Sequence, residues 1–171
     1  MDDVQIITLE PKDWQQYKNL RLRALKEEPH AYGSTYEENA ERPDEFWKQR
    51  LEDASKEKTQ WLVFAELKGE VIGMVGAFVE KEIDNAHVIA VYVAPEARGK
   101  GISKLLMNNL LSQIKKNKLV KKITVDVNPE QLPAFNLYKN SGFEIIKKYK
   151  MVLGDGIEHE VYQLQIPVSN Q

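Results

Sequence analysis

A mixed α/β fold follows from three features of the 171-residue sequence: strand-like and helix-like apolar spacings alternate along its length, no apolar run exceeds a strand, and a two-glycine loop joins a strand to a helix. The expected element order is β-α-α-β-β-β-α-β-α-β-β. It implies a mixed, mostly antiparallel central sheet with helices on both faces. Residues 1–171 are expected to form a single domain, since this length suits one hydrophobic core.

Each element has its own signal. Val4 to Leu9 alternates weakly and reads as a strand. Pro11-Lys12-Asp13 opens a helix whose Trp14, Tyr17, Leu20, Ala24 and Leu25 recur at three- and four-residue steps, and Pro29 stops it. Residues 30–42 are polar and aromatic, and read as a loop or irregular helix. A short helix begins near Pro43-Asp44, with Phe46, Trp47, Arg50 and Leu51 on its inner face. Trp61 to Ala65 and Val71 to Val79 read as a hairpin around Lys68-Gly69-Glu70, and glycines inside the second strand signal a bulge or a close backbone approach. Asp84-Asn85 turns the chain into a central strand, His87 to Val93.

Past the loop 94–101, a helix presents Ile102, Leu105, Leu106, Leu110 and Ile114 to the core. The lysine-rich run 115–122 lacks interleaved aromatics and reads as a solvated face. Ile123 to Val127 is a strand, reached by a crossover that makes it parallel to the previous one. Pro133 to Lys139 is a short helix ended by Gly142 in the C′ role. Phe143 to Tyr149 and Val161 to Ile166 close the chain as a hairpin around Gly154-Asp155-Gly156.

Composition narrows the function classes. There are no cysteines, so disulfides, thiolate metal sites and cysteine nucleophiles are excluded. His30, His87 and His159 have no metal-ligand spacing, and no metal is expected. A net charge of −2 from 24 basic and 26 acidic residues argues against a nucleic-acid-wrapping protein. The N-terminal Met1-Asp2-Asp3 is acidic where a signal peptide is basic, and nothing is long enough to span a bilayer. A soluble cytoplasmic protein is expected, with neither nucleic-acid nor membrane partners.

The most informative stretch is Val91-Tyr92-Val93-Ala94-Pro95-Glu96-Ala97-Arg98-Gly99-Lys100-Gly101-Ile102-Ser103. A strand runs into a loop with two glycines, and the loop runs into a helix N-terminus. Glycines let backbone approach a ligand, and the helix end offers free N–H groups and partial positive charge. That is an anion site suited to phosphate, with Arg98, Lys100 and Lys104 beside it. A nucleotide-triphosphate loop is excluded, because Ala94 stands where its first glycine belongs and Gly101 where its Ser or Thr belongs. A dinucleotide fingerprint would need a third glycine at Lys104. A plain solvated turn and helix cap is the alternative.

Arg98-Gly99-Lys100-Gly101-Ile102-Ser103 resembles the pyrophosphate loop of the GNAT superfamily of N-acetyltransferases, Gln/Arg-x-x-Gly-x-Gly/Ala, with Ser103 in the last small-residue position. Val91-Tyr92-Val93-Ala94-Pro95 resembles that family's V-x-P strand end. Asn128, Ala134, Asn136, Leu137, Tyr138, Lys139, Gly142 and Phe143 resemble its second signature, Asn…Ala…Leu-Tyr-x-x-x-Gly-Phe. The element order agrees as well, which implies the family's three-layer fold over most of the chain.

The resemblance implies acetyl-CoA as co-substrate, without a metal, and acetyl transfer to a primary amine. The acceptor stays open: a small amine, amino acid, antibiotic, polyamine or protein amine. The amides of Arg98, Gly99, Lys100, Gly101, Ile102, Ser103 and Lys104 would take the pyrophosphate. The strand end Val91, Tyr92 and Val93 would pair with the pantetheine arm, and the Val93 N–H would polarise the thioester. Tyr138 would donate a proton to the leaving thiolate, and Asn128, Asn136 and Lys139 would contact the cofactor. His87 is the candidate base, because histidine titrates in the useful range. Glu80 and Glu82, at the end of the preceding strand, are weaker base candidates beside a surface-charge reading, and Tyr36, Glu37 and Glu38 lie where the family builds its acceptor pocket, beside a solvated-loop reading. Plainer roles stand beside these: core packing for Val91, Val93 and Tyr138, a strand-end cap for Asn128, a surface position for Asn136, a structural His87. Without cysteine, direct attack by the amine is the simpler scheme. Acceptor-pocket walls are expected from residues 29–42 and the final hairpin, in a monomer or homodimer. The competing functional class is a non-catalytic acyl-CoA-binding module or sensor.

Overall fold

Seven strands pair in the order β1-β2-β3-β4-β5-β7-β6 in the computed structural model, which describes residues 3–80, 82 and 84–169. The strands are β1 (Val4–Ile7), β2 (Gln60–Leu67), β3 (Glu70–Glu80), β4 (Asn85–Val93), β5 (Lys122–Val127), β6 (Glu144–Val152) and β7 (Glu158–Pro167). The helices are α1 (Trp14–Glu27), α2 (Tyr36–Ala40), α3 (Asp44–Ser55), α4 (Ile102–Lys115) and α5 (Leu132–Asn140). Every strand pair is antiparallel except β4–β5, which the α4 crossover makes parallel as expected. Met1 and Asp2, read above as part of an acidic N-terminus, lie outside the described residues.

The two sheet faces carry different helices. Phe64 on β2 meets Tyr17 of α1 edge-on at 5.7 Å, and Tyr17 meets Trp47 of α3 at 5.1 Å. The opposite face packs on α4: a Cβ on Gly73 would lie 3.1 Å from Leu106 Cδ1. Gly76 is tighter still, 2.9 Å from Leu62 Cδ2 and 3.1 Å from the Trp61 carbonyl. The β3 glycines therefore serve close approach, and a bulge also falls between Met74 and Gly76. Lys68 (φ 52°) and Gly69 (φ 82°) form a two-residue hairpin turn with both central residues left-handed.

Three expectations change. Thr35 caps a short extra helix, α2, by accepting from the Glu38 N–H at 3.1 Å, within the stretch read as loop or irregular helix. Leu105 is 45% exposed rather than on the core face. At about 100° per residue it falls roughly 60° outside the stripe that begins at Ile102, and Met107 and Leu111 complete that stripe instead. The last two strands are longer than their apolar runs, because polar residues at their ends still pair, as in Val152 with Glu158. Among the described residues no helix is long and apolar enough to cross a membrane.

Candidate active site

β4 and β5 pair only from Asn85–Lys122 to Val88–Val125. Beyond Val88 the strands part, and a cleft of about 1180 Å³ opens between them. The cause lies in β4 itself. Two β4 residues, Ala90 and Val91, stand opposite the single residue Val75 of β3, and Ala90 takes φ 57°. Such a bulge twists the strand and ends its pairing.

The register beyond the bulge aims the backbone. The Ala94 N–H donates to the Ile72 carbonyl at 2.8 Å, which makes Gly73–Val93 a non-hydrogen-bonded pair. The N–H and C=O of Val93 therefore point away from β3, toward the side β5 has vacated. Two side chains take up carbonyls on that side. Tyr32 Oη donates to the Val91 carbonyl at 2.9 Å, and Arg98 Nε donates to the Val93 carbonyl at 2.9 Å. Tyr92 faces the other way: its buried ring sends Oη to Glu27 at 2.6 Å, and its backbone belongs to the Met74 pair.

At the end of β4 lies the two-glycine loop. Gly99 (φ 79°) and Gly101 (φ 77°) are left-handed, and a Cβ on either would meet nothing within 4 Å. Backbone conformation, not crowding, demands glycine there. Gly101 is the N-cap of α4 and gives no side-chain cap, so the first-turn amides of Ile102, Ser103 and Lys104 face the cleft with the helix dipole behind them. Lys100, by contrast, is not among the cleft-lining residues.

Two ion pairs anchor this loop to the last turn of α1. Arg98 Nη2 meets Glu28 at 2.7 Å, and Arg23 grips Glu96 with both terminal nitrogens, at 2.8 and 2.7 Å. Arg23 holds the exposed Glu96 carboxyl down at about 2. Arg98 thus positions the loop with its side chain, and part of its charge is already paired.

Tyr138 lies on α5, buried at the cleft wall, and its hydroxyl has no hydrogen-bond partner among the described residues. Burial raises its pKa well above the ordinary phenol value. A Schellman motif fixes it. The Phe143 N–H donates to the Tyr138 carbonyl (3.0 Å) and the N–H of Gly142 (φ 95°) to Lys139 (3.1 Å), while the Phe143 ring packs edge-on against Tyr138. Gly142 takes the C′ role expected of it. Asn128 is buried and tied down, its side chain accepting from the Glu130 N–H and donating to the His30 carbonyl at 3.2 Å. Asn136 is exposed on the cleft rim, and Lys139 lies outside the lining.

His87 sits at the closed end of the parting, opposite Thr124. Its Nδ1 is 2.7 Å from Thr124 Oγ1, and its Nε2 is 3.3 Å from Asp126 Oδ2. Asn85 Nδ2 donates to the same Thr124 oxygen at 2.7 Å, and the Asp126 carboxylate can only accept, so Nε2 donates to it and the threonine hydroxyl donates to Nδ1 of the neutral ring. That network assigns the neutral ring a proton on Nε2, facing Asp126, so both nitrogens are engaged. Burial raises the Asp126 pKa, but hydrogen bonds from His87, Tyr149 and Gln163 outweigh it and hold the carboxyl below its ordinary range.

The expected acceptor-side segments do meet. The Gly154 N–H donates to the Tyr32 carbonyl at 2.7 Å, so the tip of the β6–β7 hairpin rests on the segment after α1. Sequence reasoning missed Tyr32, Asp126 and Arg21 here, and read Arg50 only as an inner-face residue. A charge inside the apolar strand Ile123 to Val127, and a cation on the inner face of α3, were the available signals. Tyr32 had none. Among the described residues no cluster of His, Asp or Glu is arranged to hold a metal ion.

Comparison with known proteins agrees with this fold. A family model described as the acetyltransferase (GNAT) family matches residues 14–143. The L-amino acid N-acetyltransferase AaaT of Escherichia coli is 26% identical over 164 residues, covering 92% of this chain and 95% of that protein. Among solved structures, an acetyltransferase of the GNAT family from Streptococcus pneumoniae superposes with a TM-score of 0.83 at 18% identity, over 97% of this chain and 100% of that one. The yncA structure from Salmonella typhimurium, with its cofactor acetyl-CoA, gives 0.81 at 14% identity, over 99% and 96% of the two chains.

Proposed function

The chain belongs to the acetyltransferase (GNAT) family, and from that premise we propose that residues 1–171 form one domain that moves an acetyl group from acetyl-CoA to a primary amine by direct attack. The observation that carries this reading is the parting of β4 from β5, with the Val93 N–H turned into the gap and the uncapped α4 N-terminus at its mouth. These features suit a phosphate-bearing, amide-rich arm: first-turn amides for the pyrophosphate, and a strand edge for the peptide-like chain. Acetyl-CoA supplies the thioester.

Each residue then has a task. The amides of residues 98–104 hold the pyrophosphate, with Lys100 and Lys104 contributing charge. Val91 and Val93 offer backbone groups to the arm, and the Val93 N–H polarises the thioester carbonyl. Tyr92 and Asn128 support the cofactor wall and Asn136 meets the arm at the rim, while Lys139, outside the lining, has no contact role in this geometry. As nitrogen attacks the carbonyl carbon and the C–S bond breaks, Tyr138 gives its proton to the departing sulfur. Burial raises the phenol pKa, but the same surroundings destabilise a naked thiolate, so the transfer stays matched. The proton lost by the amine passes through water to the His87–Asp126 pair, whose carboxylate also attracts the incoming ammonium group. That the Escherichia coli relative carries the name of an amino-acid acetyltransferase supports an amine acceptor of small size.

The test is thiol release from acetyl-CoA, read with dithionitrobenzoate across a panel of amines. Release that depends on an amine is expected. Tight acetyl-CoA binding with no release on any amine, peptide or protein would overturn the catalytic reading.

A further inference from the structure

Among the described residues, three buried donors in the same cleft have no acceptor. Arg21 Nη1 of α1, and Trp47 Nε1 and Arg50 Nε of α3, are out of solvent and without a hydrogen-bond partner. All three residues line the cleft. Among the described residues neither arginine forms an ion pair. The carboxylates that also line the cleft are used elsewhere or face solvent. Glu28 pairs with Arg98, Asp126 is held by His87 and Gln163, and Glu38 is exposed on α2.

Guanidinium and indole groups donate and never accept. A wall made only of donors, two of them cationic, is complementary to a group made only of acceptors. A guanidinium N–H held out of water without a partner is costly unless something arrives to accept it. Burial pulls the Arg21 pKa below its ordinary value against the opposing influence of Tyr32 and Tyr17, and the like charge of Arg50 makes a smaller contribution in the same direction as burial. Both are the marks of a site awaiting an anion.

Position separates this wall from the phosphate end. The Arg21 guanidinium stacks 4.7 Å from the Tyr32 ring centre, and the Tyr32 hydroxyl holds the Val91 carbonyl. Tyr32 thus stands between the reacting strand and the arginines. The pyrophosphate loop is anchored farther along α1, at Arg23 and Glu28. Across the cleft, Asp126 on β5 is the one carboxylate among the described strand residues that line it. One end is cationic and the other anionic, as a zwitterion requires.

We propose that Arg21 and Arg50, with Trp47, form a carboxylate-binding subsite, and that the acceptor is a small amine that also carries a carboxylate, such as a free amino acid. This rests on the acetyltransferase reading for what happens to the amine, but not for the recognition itself. A planar carboxylate can take two parallel N–H donors from one guanidinium, which a polyamine or cationic antibiotic cannot.

The experiment uses the whole chain with acetyl-CoA and a panel of free L-amino acids, each beside its α-carboxamide and its decarboxylated amine. Turnover is read by thiol release, and binding of the same compounds by calorimetry. The acid is expected to exceed its amide by roughly 10- to 100-fold in kcat/KM. In Arg50→Gln and Arg21→Gln that ratio should collapse toward one through KM, while Arg50→Lys recovers part of it. Melting curves of all three variants check the fold, and calorimetry with acetyl-CoA checks the other end of the cleft. Equal use of acid and amide by the unaltered protein would overturn the proposal, as would acid binding that survives both glutamine variants. Acids that bind and depend on Arg50 without being acetylated would support the subsite and count against the transferase reading instead. Acetyl-CoA bound with neither acid nor amide bound or acetylated would overturn the subsite alone.

Discussion

At one end of the cleft, Gly99, Gly101 and the first turn of α4 offer backbone amides. At the other, Arg21, Trp47, Arg50, His87 and Asp126 offer side chains. The loop end has left-handed glycines, an uncapped helix and strand carbonyls taken up by Tyr32 and Arg98. The far end has donors without acceptors, and an imidazole whose two nitrogens are both engaged. Backbone amides can hold a ligand whatever the side chains along the loop. A site made of side chains depends on the particular residues that line it.

The largest expected effect would break the link between the two ends. Tyr138→Phe should lower kcat by about 100-fold or more with either kind of acceptor, since a general acid is worth roughly 100- to 10,000-fold. The Tyr138 hydroxyl bonds nothing among the described residues, so the melting point should stay within a degree or two. Full activity on a genuine acceptor would remove Tyr138 from the mechanism.

Gly101→Val sharpens the contrast from the loop side. A branched residue is strained at φ 77°, while its Cβ would meet no neighbouring atom. Coenzyme A affinity should fall about 10- to 100-fold, with acceptor binding measured by calorimetry little changed. A variant that binds coenzyme A normally would show that the loop backbone is not the cradle. Gly154→Ala does the reverse. Its Cβ would sit 2.6 Å from the Ser34 carbonyl and 2.9 Å from that of Pro29, so the hairpin must lift from the acceptor side. A loss of about 1–3 kcal/mol in stability is expected. Acceptor KM should rise while the coenzyme A Kd holds, and equal changes in both would dissolve the distinction.

The difference between the ends also explains what could be read from sequence. Arg98-Gly99-Lys100-Gly101 and the Tyr138–Gly142–Phe143 signature are local: one turn, one helix cap, a few consecutive residues. Gly142 could be assigned its C′ role because the motif that requires it spans only six residues. The arginine wall joins residues of α1 and α3 with Tyr32 between the helices, and no spacing rule links them. The parting of β4 from β5 depends on a bulge at Ala90, and alanine is not a residue whose sequence announces a positive φ. Leu105 failed for a simpler reason, a helical stripe drawn one row too wide.

The smallest effect concerns the loop anchor. Arg23 holds Glu96 at about 2 against an ordinary 4.5, so the pair contributes fully above pH 4.5 and is lost as pH falls toward 2. The pair is exposed, and its contribution is correspondingly slight. Exchange protection of the amides of residues 94–101, relative to the intrinsic rate at each pH, should fall as pH drops across that interval in the natural protein, and be lowered already at neutral pH in Glu96→Gln. Identical profiles would mean that the loop holds its place without the pair.

Helix α1 carries Arg21, and within its next two turns Arg23, Glu27 and, just past its end, Glu28. These reach, in turn, the acceptor wall, Glu96, Tyr92 and Arg98. A rod of 14 residues, about 21 Å long, is stiff over that span. If both substrates bind as proposed, a tilt of this helix that favours one would alter the contacts of the other, and by thermodynamic reciprocity each would change the other's affinity by the same factor.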